Sequence, residues 1–582
     1  MAIEALAAVP PFVYVLVAAL LAPLLPRLAA HALGIVATLA VVVVSLQTPE
    51  GAHVAVQFLG FDAVLFNVDP FSRLMGLIFG FIGAAAVLYS YASSADAVQT
   101  GFALSYVGTS VGAVFAGDWL TLVFFWELMA VTSTALVWHY GGAAVRAGYR
   151  YALLHGVGGS LVLGAIVWQY VEVGSFLFTA NEGIVAGLPA VLAAVGIGVN
   201  VGFIGLHAWL PDTYPRPHVA ASVFLCVYTT KTGVYAMYRA FPEGHLWLAY
   251  MGGAMAVFGA SMALLQNDMR RLLSYHIQSQ VGYMIAGVGI GSALATAGAF
   301  GHVFNHILYK SLLFMTVGVV IYRTGEESLK YVGGLAREMP VTAGAFTVAA
   351  LSIAGFPGFN GFVSKGMVLG AAHYEHLDAL WYLLLLGGVG TFLSFIKLGY
   401  YVFFHGEHDG QVRDANRGQQ VAMVTVAVLC LVYGLVPDTL FTILPVGGYD
   451  YTTFTVDHLI EGFGLAAAGL VGFALLKKPL SKVGRVPDVD AVYNPLAFYG
   501  TRALVRGVTD GYAAVDRQAV SLSTATMWAA RNPGAALERA GASVDAQDAG
   551  GVGPSRLGAG IGTSVLVLVL VVTLGVALLM LG

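Results

Sequence analysis

The sequence predicts an all-α polytopic membrane protein of about sixteen transmembrane helices. Three observations carry that expectation. Of 582 residues, 58% are hydrophobic and only 10% charged, with a mean hydropathy of +0.81; a soluble protein carries roughly a quarter of its residues as Asp, Glu, Lys or Arg. So few charges cannot cover a surface of this size in water, which excludes a soluble enzyme. The apolar residues also come in runs of about 20, not in the alternating strands of about 10 that build a transmembrane barrel. Finally, the basic residues alternate between connections as the positive-inside rule demands.

Taken in order, the apolar runs centre near residues 18, 38, 82, 107, 128, 160, 198, 229, 256, 282, 308, 351, 390, 428, 468 and 570, here spans 1 to 16. The first run lacks the positive flank of a signal peptide, since Met1 to Pro10 holds Glu4 and no Lys or Arg. It reads as a retained span. Of the 27 basic residues, 20 fall after odd-numbered spans, among them Arg146, Arg150, Arg270, Arg271, Lys330, Lys477 and Lys478. The opposite connections carry Arg73 and Arg239 beside acids such as Glu50, Asp62, Glu172, Glu182 and Glu243. The odd-span loops are therefore expected in the cytoplasm, with both termini outside, in the plasma membrane of a prokaryote.

Between spans 15 and 16 the pattern changes. Asn494-Pro495 reads as an N-cap with proline at the first helical position. Leu496, Tyr499, Ala503, Val508, Tyr512, Val515, Ala519 and Leu522 then recur mostly every three or four residues. A helix from 495 to about 531, roughly 55 Å long, is expected to lie laterally on the cytoplasmic side rather than to span. Gly500, Gly507 and Gly511 weigh against its continuity, and 541–556 reads as a flexible link.

Cys226 and Cys430 lie far apart in apolar runs, so no metal spacing, disulfide framework or redox cluster arises. No cofactor is expected. A pI of 6.4 without a basic tract gives nucleic-acid binding no support.

The chemistry sits in the few charges that remain inside the spans: Glu127, Lys231, Lys310, Lys365 and Lys397, with His155, His302 and His306. A charge at the bilayer centre costs about 2.5–3.5 kcal/mol, so such residues face the protein interior and mark ion or proton paths. Lysines near span ends also snorkel to the interface, which weighs evenly against function for Lys397. A lone His155 fits a satisfied interior histidine. His302, His306 and Lys310 stack at i, i+4 and i+8 on one helix face, and buried histidine and lysine can exchange protons near neutral pH. Two spans are interrupted, span 7 by HAWLPDTYPRPH and span 12 by AGFPGFNGF. Breaks at corresponding places in two halves point to a transporter's internal repeat.

HAWLPDTYPRPH, VFLCVYTTKTGVYAMYR, QNDMRRLLSYHIQSQVGYM, HVFNHILYKSLLF and GFPGFNGFVSKG resemble the antiporter-like subunits shared by Mrp sodium/proton antiporters and respiratory complex I. The wording is most similar to the D-type subunit of Mrp antiporters. The resemblance covers about residues 70–445. It implies two inverted five-helix repeats, each with one broken helix, so that 71–445 forms the core, 1–70 precedes it with two helices and an outer loop, and 446–582 is a C-terminal extension.

Position by position, the resemblance implies that Glu127 is the acid of span 5, Lys231 the central lysine of span 8, and His302, His306 and Lys310 the span-11 relay. It makes Lys365 the span-12 residue at the exit end. Lys397 lies in the helix that the repeat pairs with span 8. His207 and His276, within the quoted motifs, join His155 and Asn200 as further candidates for the path. Three positions depart from the family: Asn200 replaces a lysine seven residues before His207, Gly205 a proline, and Arg216 an acid. The lost lysine matters most, because an ion pair at about 7 Å and an effective dielectric of about 20 is worth about 2.4 kcal/mol to Glu127. His155, on the adjacent span, is the candidate substitute.

The resemblance implies a proton-translocating subunit of a multi-subunit cation/proton antiporter, working with other membrane subunits on protons and sodium. The alternatives are a proton-pumping arm of a complex I-like oxidoreductase or membrane hydrogenase, the membrane part of an inorganic-carbon uptake complex, and an inactive scaffold.

Overall fold

The computed structural model describes residues 9–407, 411–484 and 486–541. The lack of a positive flank before Pro10, the link 542–556 and span 16 fall largely or wholly outside the described residues. Those residues divide into two units, the first ending at Val486 and the second beginning at Pro487.

The first unit is helical throughout, apart from one hairpin. Among the described residues, nine helices are long and apolar enough to cross a membrane. They are span 2 (Arg27–Gln47), span 3 (Pro70–Ala92), span 5 (Trp119–Trp138), span 6 (Ala143–Val173), span 9 (Leu246–Leu264), span 11 (Ala293–Thr324), span 13 (Asp378–Gly399, running on into a π turn at Tyr400–Phe404), span 14 (Arg417–Leu435) and span 15 (Val456–Ser481). Span 1 (Pro11–Leu21) is shorter, and span 4 (Ala97–Val114) and span 10 (Met269–Ile290) are less apolar.

Both anticipated breaks are present. Span 7 runs Leu188–Val201, stops at Gly202 with a left-handed φ of 75°, and resumes at Trp209–Thr213. Span 12 runs Pro340–Ala354, stops at Gly355 with a φ of 82°, and resumes at Asn360–Tyr374. Each first half thus ends on a glycine in the conformation that L side chains disfavour. A third interruption has no such sequence signal: span 8 divides into Val219–Leu225 and Tyr228–Ala240 around Cys226-Val227.

The outer connection after span 2 forms an antiparallel hairpin, Gly51–Phe58 paired with Phe61–Val68, with Leu59 and Gly60 both at positive φ in the two-residue turn. It is tied to the bundle by Asp118. That carboxylate, buried at the N-cap of span 5, accepts from the Val64 amide at 2.6 Å and from the amide and hydroxyl of Thr121, both at 2.7 Å.

Span 10 packs against span 9, the second part of span 8 and the second half of span 12, while span 11 packs against both halves of span 12. The apolar stretch of span 11 is wholly buried. This helix forms the inner wall on which the titratable groups sit.

In the second unit one helix runs Asp490–Arg531, 42 residues without interruption. It begins five residues before Pro495, and Asn494 donates a side-chain hydrogen bond to Asp490 at 3.4 Å instead of opening the helix. The three glycines do not break it. Leu496, Tyr499, Val508, Tyr512, Val515 and Leu522 are all exposed on it.

Candidate functional site

Two of the three interruptions, those in spans 8 and 12, position a lysine each. A helix break frees carbonyls that the next turn would otherwise satisfy, and a buried free carbonyl needs a donor. The Lys231 ammonium folds back to the Cys226 carbonyl at 2.5 Å and meets the Thr230 hydroxyl at 3.0 Å. Across the break in span 12, Lys365 donates to Ile353 at 2.7 Å, and its ammonium lies 4.7 Å over the Tyr283 ring. Lys310, on unbroken span 11, donates to Leu273 of span 10 at 3.1 Å. All three lysines are buried. Each is held by a neutral acceptor, not by a carboxylate, so its charge is free to leave with a proton.

The histidines lie among them. His302 and His306 are 6.2 Å apart, ring to ring, on one face of span 11. Nδ1 of His302 is 2.9 Å from the Ser364 hydroxyl, next to Lys365, and its Nε2 is 3.2 Å from the Tyr309 hydroxyl. Both nitrogens of His306 and both of His276 are buried with no hydrogen-bond partner among the described residues. Lys231, Lys310 and Lys365 all lie close enough to His306 for their charges to interact, and Lys310 and Lys365 likewise to His276. The structure therefore brings Lys231, His276, His302, His306, Lys310 and Lys365 into one buried, electrostatically coupled cluster. Buried polar groups without partners are rare and mark sites for ordered water. Asn200, Nε2 of His155 and the Thr232 hydroxyl extend the series towards span 6.

The surroundings of Glu127 are arranged differently. Glu127 of span 5 is half-buried and packs on Gly159 of span 6, where any Cβ would collide with its carboxylate. No ion pair reaches Glu127 among the described residues. His155 lies one turn from Gly159, stacked on Tyr151 at 3.9 Å and edge-on to Trp209 at 4.5 Å, with Nδ1 bonded to the Tyr151 carbonyl. Asn200 sits against Gly233, two residues beyond Lys231. His207, in the span-7 break, is buried beside Phe258 and accepts from the Gly205 amide at 3.3 Å.

Lys397 stands apart. It donates to the carbonyls of Leu264 and Gln266, at 2.8 and 2.7 Å, at the end of span 9, and it lines a cavity of about 360 Å³ with Tyr401 and His405.

Sequence reasoning missed a polar string next to Lys231. Ser133, Tyr151, Thr229 and Tyr106 connect spans 5, 6, 8 and 4 through hydroxyl contacts of 2.9, 3.1 and 2.6 Å. It also missed Gln280 and Tyr309, whose hydroxyl donates to Gln280 at 3.5 Å. The signal was available as polar residues inside otherwise apolar runs.

A family model described as "NADH:quinone oxidoreductase/Mrp antiporter, TM" matches residues 116–394, a stretch that holds every group of this cluster. The chain is 28% identical over 467 residues to the A/B-type subunit of a probable K(+)/H(+) antiporter of Rhizobium meliloti, covering 73% of this chain and 46% of that one. It is 28% identical over 489 residues to the A-type subunit of the Na(+)/H(+) antiporter of Alkalihalophilus pseudofirmus, covering 72% and 60%. An uncharacterized protein of Methanocaldococcus jannaschii is 30% identical over 360 residues, 58% of this chain and 74% of its own. The chain thus spans about half to three fifths of the length of the two antiporter subunits. Among solved structures, the Mrp complex from Dietzia sp. DQ12-45-1b superposes with a TM-score of 0.75 at 24% identity, over 88% of this chain and 62% of that one. A chain of an archaeal membrane-bound sulfane sulfur reductase superposes with a TM-score of 0.73 at 25% identity, over 98% and 99%.

Proposed function

The chain belongs to the NADH:quinone oxidoreductase/Mrp antiporter transmembrane family, and from that membership we propose that it is the proton-translocating subunit of a multi-subunit monovalent cation/proton antiporter. One observation carries the proposal: three buried lysines held by neutral carbonyls, interleaved with His276 and His306, whose ring nitrogens lack partners among the described residues. A proton arriving at one lysine changes the proton affinity of its neighbours, so charge advances by sequential transfer along Glu127, Lys231, Lys310 and Lys365, with water between them. The coupled cation is sodium or another monovalent cation elsewhere in the assembly, and the partners are further membrane subunits.

The test is Lys231→Ala in the intact assembly, read in everted membrane vesicles as cation-dependent collapse of a pH gradient. Exchange is expected to disappear while the assembly still forms. Wild-type exchange rates in that variant overturn the axis.

A second reading has its own support. The end-to-end match to a sulfane sulfur reductase chain, which takes in the region of the Asp490–Arg531 helix, favours a proton-pumping arm of a redox complex in which another chain carries the redox group. Co-purification separates the two: small hydrophobic membrane partners support antiport, and Fe–S or flavin subunits support the pump.

A further inference from the structure

Unlike His276 and His306, His302 has a partner on each ring nitrogen: the Ser364 hydroxyl 2.9 Å from Nδ1 and the Tyr309 hydroxyl 3.2 Å from Nε2. In a neutral imidazole one nitrogen carries the hydrogen and the other accepts. A hydroxyl can play either part, so these two contacts alone fit both forms. The groups behind Tyr309 decide between them.

The Ser279 hydroxyl donates to the Ala256 carbonyl of span 9 at 2.9 Å, and the Thr391 hydroxyl donates to the Gly387 carbonyl of its own span 13 at 2.8 Å. A hydroxyl has one hydrogen to give, so towards the Gln280 side chain, 3.4 Å from each, both can only accept. The Gln280 amide nitrogen therefore points to Ser279 and Thr391, and its oxygen to Tyr309, whose hydroxyl donates to it at 3.5 Å. With that hydrogen committed, the Tyr309 oxygen accepts from Nε2 of His302. Nδ1 is left bare and takes the hydrogen of Ser364. Every side chain in this series is buried, so bulk water does not compete for its hydrogen bonds.

We propose that Gln280 is a positioning residue which, through Tyr309, holds neutral His302 in its Nε2–H form and makes Nδ1, on the Ser364 side, the only nitrogen at which this histidine takes up and returns a proton. The proposal rests on the proton-translocating reading above and assigns the direction in which one member of the cluster works. The Gln280 oxygen accepts a hydrogen bond but does not ionise, so the Tyr309 side is closed to proton passage.

The Ser364 side can adjust. When a proton binds Nδ1 the ring becomes imidazolium, Nδ1–H donates to the Ser364 oxygen, and the Ser364 hydrogen turns to the Asn360 carbonyl, 3.5 Å away. That carbonyl already accepts from the Asn305 amide at 2.8 Å and has a second lone pair free. One N–H bond forms, none breaks, and the ring gains the single charge of the proton. The titratable and charged groups that face His302 are Tyr283 of span 10, His306 and Tyr309 of its own helix, Lys365 of span 12 and Lys231 of span 8. A proton held at Nδ1 thus repels a second one on either lysine.

The experiment is nitrogen NMR of the full assembly, isotope-labelled on its histidine rings, at alkaline pH where the ring is neutral. The His302 signals are identified by their loss in His302→Gln. The native assembly is expected to show the Nε2–H form. Tyr309→Phe leaves an Nε2 hydrogen without an acceptor, and Gln280→Met frees the Tyr309 hydrogen to turn towards Nε2. In both variants the ring is therefore expected to move to the Nδ1–H form, donating to Ser364. Exchange in vesicles is expected to fall about tenfold in each, less than the roughly 10²-fold of His302→Gln, with a shifted pH profile. If the native ring is Nδ1–H, or if both variants keep the native form, the inference is overturned while loss of exchange in Lys231→Ala still upholds the axis. Normal exchange in Lys231→Ala instead removes the proton-translocating reading and the role of Nδ1 with it, whatever the form of the ring.

Discussion

Lys231 donates to the carbonyl of Cys226, five residues back in its own helix, at 2.5 Å. Lys365 does the same to Ile353, twelve residues back, at 2.7 Å. In both cases the charge that the helix carries into the membrane is met by a backbone group that the same helix exposes by breaking. A neutral acceptor stabilises the ammonium without locking it as a carboxylate would, which suits a group that must let its proton go.

This arrangement makes arginine a poor replacement. A guanidinium keeps the positive charge but does not release a proton in proteins. Lys231→Arg is therefore expected to assemble normally and to lower exchange about 10²-fold or more, measured as pH-gradient collapse in vesicles. Normal exchange in this variant means that Lys231 serves as a fixed charge.

Gly159 holds Glu127 in place by having no side chain. Gly159→Ala puts a methyl where the carboxylate lies and is expected to reduce exchange to the level of Glu127→Gln, with subunit content unchanged on native gels. Retained activity shows that the carboxylate works from a different position.

His155 is the ionisable group nearest to Glu127 along span 6, in a chain where Asn200 provides no positive charge. His155→Phe keeps the stacking on Tyr151 and Trp209 and removes only the ring nitrogens. Exchange is expected to fall at least about tenfold. If it stays at the wild-type rate while Glu127→Gln is inactive, His155 takes no part in proton entry.

Asp118 joins the outer hairpin to span 5 through three hydrogen bonds. Asp118→Ala removes the helix cap and leaves the Val64 amide unpaired, a loss of about 2–4 kcal/mol. The thermal unfolding midpoint of the detergent-solubilised assembly is expected to drop, and Asp118→Asn, which can still cap, to drop it less.

The sequence made the spans legible because apolar length and loop charge are imposed by the bilayer itself. The breaks in spans 7 and 12 were readable because glycine and proline enforce them locally. The interruption at Cys226 was not: no residue there disfavours helix strongly, and the Lys231 contact that satisfies the freed carbonyl is visible only in three dimensions. The hairpin was signalled by the alternation in HVAVQF and FDAVLFNV around Leu59-Gly60, a period-2 pattern masked by the apolar runs on either side. For the site, Lys231, Lys310, Lys365 and the span-11 histidines stood out as charges where lipid forbids them.

Span 11 is enclosed by protein along its whole apolar length. A carrier that rocks two halves about a central substrate must shear the surfaces of its middle helix, and here that helix has no free side along which to slide. Proton movement along it, as proposed, needs only the reorientation of hydrogen-bonded solvent and side-chain tips. On the proton-translocating reading, turnover follows wetting of the core, and heavy water is expected to slow it more than a stiffer bilayer does.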